Sequence, residues 1–353
     1  MSLIREINIS EFRGIRSLRK PIELGEFNVL VGRNNVGKSA VLEALYLIAG
    51  KEEDPVYRTR TRSYNSSYIP AVISDLHGGK DTYSPLVYGY AGRSHLEYRI
   101  RSTKASKNAF SPSAKVPDII ERVDVWIERT GITAALEGVK VGNTPRFLEL
   151  DVGSDKKSKV LSFYIPNDST SYMQIRDYVL REDVFSQIVK DGNHKRVIED
   201  LLSGVIYDKF TEVLIERGDL KVRKEASGGV GPLYINVESL GDGVKRALLA
   251  YLAVEHLNPL VLLWDDIEVA AHPSLVRAVL RWLSGSGRQV VISTQSIDVL
   301  YELTQVRPRD CRIIVLRKDE SDVVSHRSLN LDELDEFFEG GLDLRRMIEE
   351  MEL

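Results

Sequence analysis

The sequence holds a single cysteine, Cys311, among 353 residues, so no disulfide framework is open to it and a reducing cytoplasm is the expected setting. No apolar run is long enough to cross a bilayer, and no basic-then-apolar stretch opens the chain, so neither a membrane nor a secretory role is expected. Heptad repeats and internal repeats are missing, which excludes a long coiled coil from the expectations. The six histidines and the lone cysteine show no ligand spacing, so no resident metal centre is expected. Neither charge is in marked excess. The 48 basic and 52 acidic residues give a formal net charge of −4, and any nucleic-acid surface must therefore be a local patch. What is present, 43% hydrophobic and 28% charged residues, describes a globular chain with a large core and room for two lobes.

The rest of the chain is organised around Phe27 to Ser39. Phe27-Asn28-Val29-Leu30-Val31 reads as a short buried strand, and Gly32-Arg33-Asn34-Asn35-Val36-Gly37-Lys38-Ser39 has the spacing G-x-x-x-x-G-K-S. Such a loop turns its backbone N–H groups, those of Asn34 and Asn35 included, inward around phosphate oxygens. Lys38 then reaches the β- and γ-phosphates, the Ser39 hydroxyl ligates Mg²⁺, and the helix opening at Gly37 points its positive end at the anion. An amphipathic helix follows, with Val41, Leu42, Leu45, Leu47 and Ile48 and an end at Gly50. That context favours a nucleoside triphosphate site over an ordinary Gly-rich turn.

Ile4 to Ile9 alternates as a half-buried strand, Phe12-Arg13-Gly14-Ile15 is a turn, and Ile22-Glu23-Leu24 is a second strand. From 51 to 225 the pattern changes to short strand-like stretches, Leu86–Tyr90, Leu96–Ile100, Val123–Ile127, Phe147–Val152 and Val160–Tyr164, joined by polar links. Two helices are expected after them, Ser171–Val189 and Lys195–Ile215. This half reads as an inserted α+β lobe within a nucleotide lobe formed by 1–50 and 226–330. The nucleotide lobe resumes with a strand at 232–236, a helix from Val244 to His256 and the continuous apolar run Pro259 to Trp264. A helix (Leu275–Leu283) and strands at 289–295 and 312–316 follow. Strand, helix, strand, helix, strand is a doubly wound α/β pattern. An acidic helix is expected over 331–353, with Leu331, Leu334, Phe337 and Phe338 facing the core.

Phosphoryl transfer needs a metal ligand and a group that orients water, at the carboxyl ends of the strands. Asp265, closing the buried run, is placed for the metal; the plain alternative is a carboxylate that caps the next helix. Asp266 is the candidate for water activation, with Glu268 beside it or simply a solvated loop acid. If the segment stays extended, Asp266 and Glu268 share a face opposite Asp265. Gln295, after its own strand, offers an amide N–H to the γ-phosphate.

Taken together and in this order, these residues resemble the ABC-type ATPase heads of the SMC, RecF and OLD families, over about the first fifty residues and roughly 232–316. Ile7-Asn8-Ile9 through Phe12-Arg13-Gly14 looks like the family's first strand and its N-F-R turn, and Asn34 matches the asparagine of G-x-N-x-x-G-K-S. Leu240-Gly241-Asp242-Gly243 stands where the L-S-G-G signature would be. Asp265-Asp266-Ile267-Glu268 with His272-Pro273 looks like D-E-P-E followed by H-P, and Ser293-Thr294-Gln295-Ser296 like T-T-H-S.

The resemblance implies a P-loop fold with a mixed sheet, with Arg13 among the nucleotide contacts. It implies a head-to-tail homodimer around two Mg-ATP, each site completed by the partner's signature loop, and action on DNA. Three departures, Gly241 for serine, Asp266 for glutamate and Gln295 for histidine, all point to intact binding and slow hydrolysis. The family's glutamine-bearing loop has no assigned residue in the insertion. No nuclease domain follows the last strand, so a nuclease or other effector is expected on a separate chain.

Arg58, Arg60 and Arg62, flanked by Tyr57 and Tyr64, would form one row along a strand, fit to track a phosphate backbone or to protect a solvated edge. Lys156, Lys157 and Lys159 read as a hairpin tip. Three readings stand at this point: an ATPase acting on DNA in repair, genome maintenance or defence; an ATP-dependent scaffold with little turnover; and, more remotely, a transporter-type ATPase subunit.

Overall fold

The computed structural model describes residues 2–49, 84–102, 119–128, 131–136, 139–142, 162–225 and 231–347. Strands β1 (Ile4–Phe12), β2 (Ile15–Leu18), β3 (Ile22–Glu23) and β4 (Phe27–Val31) lead to helix α1 (Lys38–Ala49). Strands β5 (Arg93–Ser102), β6 (Ile119–Glu128), β7 (Gly131–Leu136), β8 (Val139–Gly142) and β9 (Ser162–Ile165) follow. Next come helices α2 (Ser169–Val179), α3 (Glu182–Lys190) and α4 (Asn193–Val197), then strands β10 (Phe210–Glu216), β11 (Asp219–Lys224) and β12 (Leu233–Asn236). The chain continues through α5 (Asp242–Leu257), β13 (Val261–Trp264), α6 (Pro273–Gly285), β14 (Gln289–Thr294) and α7 (Ile297–Val306). It then runs through β15 (Cys311–Lys318), β16 (Val323–Leu329), α8 (Leu331–Glu339) and α9 (Leu344–Met347).

Among the described residues one large mixed sheet runs β8-β7-β6-β5-β1-β2-β16-β15-β4-β14-β13-β9, with β3 also on β1. Its centre, β15-β4-β14-β13-β9, is wholly parallel. Every residue of β4, β13 and β14 is buried, as expected where helices cover both faces of a parallel sheet. Each buried Val or Leu there contributes about 1.5–3 kcal/mol. The wing β1-β5-β6-β7-β8 is antiparallel and alternates instead: Leu96, Tyr98 and Ile100 are buried while Glu97 and Arg99 are not. The Tyr98 hydroxyl donates to the Ala44 carbonyl of α1 at 2.8 Å, tying the wing to the phosphate-loop helix. Strands β10, β11 and β12 make a separate small sheet.

One buried amide joins the two regions. Gln289 Oε1 accepts the N–H groups of Leu3 and Ile4 at 3.0 and 2.8 Å, and its Nε2 donates to the carbonyls of Ile4 and Gly25 at 2.7 and 3.0 Å. All four of its hydrogen-bonding positions are used, which holds the start of β1 against the head of β14.

Several expected elements differ. Leu86–Tyr90 is not a strand: Ser84–Leu86 and Tyr88–Tyr90 are single 3₁₀ turns, the second kinked at Gly89. Ser171–Val189 divides into α2 and α3 because Arg181 is extended (ψ 133°), where it caps the second helix. Lys195–Ile215 is not one helix. Helix α4 runs into a single π turn, Ile198–Leu202, and the apolar residues from Phe210 to Ile215 belong to β10, whose hairpin turns through Arg217 and Gly218, both with positive φ. The C-terminal helix is interrupted at Gly340–Gly341, although Leu331 and Leu334 are buried and Phe337 and Phe338 pack on the core as expected. The expected strand at 147–152 and the runs of Arg58, Arg60 and Arg62 and of Lys156, Lys157 and Lys159 lie outside the described residues.

Candidate functional site

The loop from Gly32 to Gly37 leaves β4 in the middle of the sheet and delivers α1 end-on to a cleft of about 250 Å³. The cleft is lined by Arg13, Gly14, Asn34, Asn35, Gly37, Lys38, Ser39, Ala40, Asp266 and Gln295. Gly37 has φ 108°, a conformation that side chains resist, and it lets the loop swing into the helix. Asn35 takes the left-handed region at φ 65°, which asparagine tolerates. The Lys38 ammonium, 6% exposed, donates to the carbonyls of Gly32 and Arg33 at 3.0 and 3.1 Å. Burial lowers its pKa, and the carboxylates of Asp266, Asp265 and Glu268 pull it back up.

Beside Ser39 stands Asp265, just past the carboxyl end of β13 and 7% exposed. Its Oδ2 accepts the Ser39 hydroxyl at 2.6 Å and, at 3.4 Å, that of Tyr164 from β9; its Oδ1 accepts the Ser293 hydroxyl from β14. Burial raises its pKa; the Ser293 and Ser39 hydroxyls oppose the rise, and the negative charges of Asp266 and Glu43 add to it. A buried carboxylate with one serine from the phosphate loop beside it is a donor pair suited to a hard divalent cation such as Mg²⁺, whose other positions phosphate oxygens and water would fill. Among the described residues no group of three or more His, Cys, Asp and Glu side chains could hold a metal unaided.

The segment after Asp265 is not extended. Asp266 is left-handed (φ 44°) and the chain turns through Val269 and Ala271, so the expected sharing of a face by Asp266 and Glu268 does not occur. Asp266 faces the cleft: its N–H donates to Ser293 Oγ at 2.8 Å and its Oδ2 accepts from Asn167 Nδ2 at 3.0 Å. Gln295 Nε2 stands 3.5 Å from Asp266 Oδ1. Glu268 points to the backbone instead, taking the Gln295 N–H on Oε1 at 2.8 Å, and burial raises its pKa. Arg13 lines the cleft with φ 51° and ion-pairs with the buried Glu43 of α1.

Leu240 to Gly243 does not line this cleft; it stands at the N-terminus of α5. Gly241 caps the helix and Asp242 begins it, while Leu240 ends the short turn Val237–Ser239 before it. Gly243 is pressed against the loop after Asp266: a Cβ there would lie 2.2 Å from the Ala270 carbonyl oxygen.

Sequence reasoning missed Asn167, Ser293, Tyr164 and Arg246. Asn167 follows β9, and only the parallel register of β9 on β13 brings it to Asp266. Arg246, on α5, donates to Asn167 Oδ1 at 3.2 Å and lies over the Tyr172 ring at 4.4 Å. Ser293 alone left a signal, a polar residue at the end of an apolar run.

Phosphate loop, carboxylate at the end of a neighbouring parallel strand and mixed sheet together give the P-loop ATPase fold seen in SMC head domains. Two family models match, one for an AAA ATPase domain over residues 3–104 and one for an AAA domain, described with the AbiEii toxin and a type IV TA system, over residues 136–300. Among solved structures, an SMC head bound to the C-winged-helix domain of ScpA is 11% identical, with a TM-score of 0.60 over 94% of this chain and 99% of that one. The SMC head domain from Thermotoga maritima is 14% identical, with a TM-score of 0.53 over 93% and 100%. An ATP/GTP phosphatase of Helicobacter pylori is 20% identical over 96% of this chain and 98% of its own length. An uncharacterised protein of Methanocaldococcus jannaschii is 45% identical over 51 residues, 14% of this chain, and the match spans only 23% of that protein.

Proposed function

We propose that the protein is a Mg-dependent ATPase of low turnover, which dimerises head to tail on ATP and acts on DNA in repair, genome maintenance or defence. The observation that carries this reading is the 2.6 Å contact of Ser39 with Asp265, which sets the metal-binding pair against the phosphate loop. Lys38 would exchange its two carbonyl bonds for charge-assisted bonds to phosphate oxygens, and the N–H groups of 34–39 would cradle them. Mg²⁺, held by Ser39 and Asp265 when bound, would neutralise charge gathering on the transferred phosphoryl group. Asp266, held by Asn167 from one side, orients the attacking water and takes its proton; the Gln295 amide donates to the γ-phosphate. Glu268 acts through the Gln295 backbone.

Dimerisation is supported by where Leu240 to Gly243 stands: the turn does not line the chain's own cleft, and Gly241 and Asp242 at the start of α5 are exposed, open to the phosphates of a second copy. The SMC-head relatives bound to ScpA support attachment of a separate protein, and the family model described with a toxin supports a role in defence. Light scattering after size exclusion tests the reading: Mg-ATP should double the mass of the wild type and leave Lys38→Ala a monomer. Retained ATP-dependent dimerisation by Lys38→Ala would sink it. The second reading, a nucleotide-gated scaffold that recruits an effector, is favoured by the short reach of Asp266. Strong stimulation of hydrolysis by DNA would exclude it.

A further inference from the structure

Gln295 enters the cleft from a turn whose peptide groups are fastened on both sides. Its N–H goes to Glu268 Oε1, and its carbonyl accepts from Arg345 Nη1 at 3.0 Å. Arg345 lies fifty residues further along, in α9, and does not line the cleft. Its guanidinium is held before it reaches Gln295. Nε and Nη2 donate to Asp343 Oδ1 and Oδ2 at 3.0 and 2.7 Å, a two-point contact that fixes the plane of the fork. Asp343 Oδ1 also takes the Arg345 backbone N–H at 3.0 Å, and Leu344 between them is 1% exposed. An apolar anchor, a carboxylate brace and a guanidinium thus end on one carbonyl, that of the residue whose amide faces Asp266.

We propose that Arg345 is a positioning residue for Gln295. By holding the Gln295 carbonyl it sets the angle at which the amide stands beside Asp266, so the C-terminal segment governs turnover from outside the cleft. The inference rests on reading the cleft as the site of ATP hydrolysis. A carbonyl released on one side lets the peptide plane rotate, and the amide swings with its Cα. Displacement of a reacting or stabilising group by a fraction of an ångström to an ångström costs rate and leaves ground-state binding nearly untouched. Mere stapling of the C-terminal segment would show in stability and nucleotide affinity alike.

The test is steady-state ATP hydrolysis, and affinity for a fluorescent ATP analogue, on the full chain and its variants. Arg345→Ala should lower kcat about tenfold with affinity within about twofold of wild type. Arg345→Lys should recover part of kcat, since an ammonium reaches the carbonyl without the Asp343 fork, and Asp343→Asn should lower kcat in the same direction but less. The double variant Arg345→Ala with Gln295→Ala should be no slower than Gln295→Ala alone, because Arg345 acts only through that residue. Additive losses, an unchanged kcat in Arg345→Ala, or parallel losses of affinity and kcat in all three single variants would each overturn the proposal. A wild type whose hydrolysis survives Lys38→Ala would instead overturn the reading of the cleft.

Discussion

Asp265 holds a carboxylate where water has almost no access, and the free protein is expected to feel that cost. Its pKa in the folded chain is raised, by burial first and by neighbouring negative charge second. Below the ordinary aspartate value of 3.8 both folded and unfolded chains carry the proton, and nothing is lost. As pH rises from 3.8 through the raised value, the unfolded chain releases its proton first and stability falls. Asp265→Asn should therefore flatten this decline and raise the Tm of the nucleotide-free protein at pH 7 by about 2 °C, while abolishing Mg-ATP hydrolysis. Calorimetry from pH 4 to 8 checks the first half, and an unchanged pH dependence would contradict it. Asp266 invites the opposite experiment. Asp266→Glu restores about 1 Å of reach and should raise kcat about tenfold, whereas Asp266→Asn should trap the ATP-bound dimer. Should Glu268→Gln stop turnover while Asp266→Asn does not, the water-orienting role belongs to Glu268. Lys38, Ser39 and Asp265 could be read from the sequence because their spacing to one strand or one helix is local. Asn167, Tyr164 and Arg345 could not, since each reaches the site only through a pairing or contact made far along the chain.

At the scale of elements, apolar runs buried on both faces were the readable ones. Strands β4, β13, β14 and β15 and helix α6 stand where the runs predict, because period and length agree there, while α7 was not anticipated. The reading failed where short apolar residues recur near both periods. Val197, Leu201, Ile206 and Phe210 fall at roughly helical spacing, yet Phe210 belongs to β10, and β16 carries too few apolar residues to announce itself. Two substitutions test how elements are joined. Gly243→Ala would drive a methyl into the Ala270 carbonyl, so the N-terminus of α5 or the loop after Asp266 must shift. Turnover should drop about tenfold or more with the phosphate loop still competent to bind nucleotide, as a hydrolysis assay beside equilibrium binding would show. Gln289→Leu would strand the N–H groups of Leu3 and Ile4 in the interior, and urea denaturation should reveal a loss of about 3 kcal/mol.

For the whole molecule, the parallel centre carries the phosphate loop and the antiparallel wing extends one sheet away from it. DNA contact is proposed for the row Arg58, Arg60 and Arg62. Replacing all three should flatten the dependence of DNA affinity on salt, measured by fluorescence anisotropy across a salt series, and an unchanged slope would remove these arginines from the DNA contact. The position of β9 sets a further condition. The outermost strand of the parallel centre comes not from the chain flanking the phosphate loop but from the stretch that follows the wing, and it carries Tyr164 and the approach to Asn167. An abridged protein that omits 51–225 would bare the outer edge of β13 and strip Asp265 of a hydroxyl. One that keeps 162–225 while exchanging what precedes it would keep Tyr164 and Asn167 beside Asp265 and Asp266 but lose the Tyr98 bond to α1. The wing is thus the part that breeding or engineering can trade, and Ser162–Ile165 marks how far the trade can go.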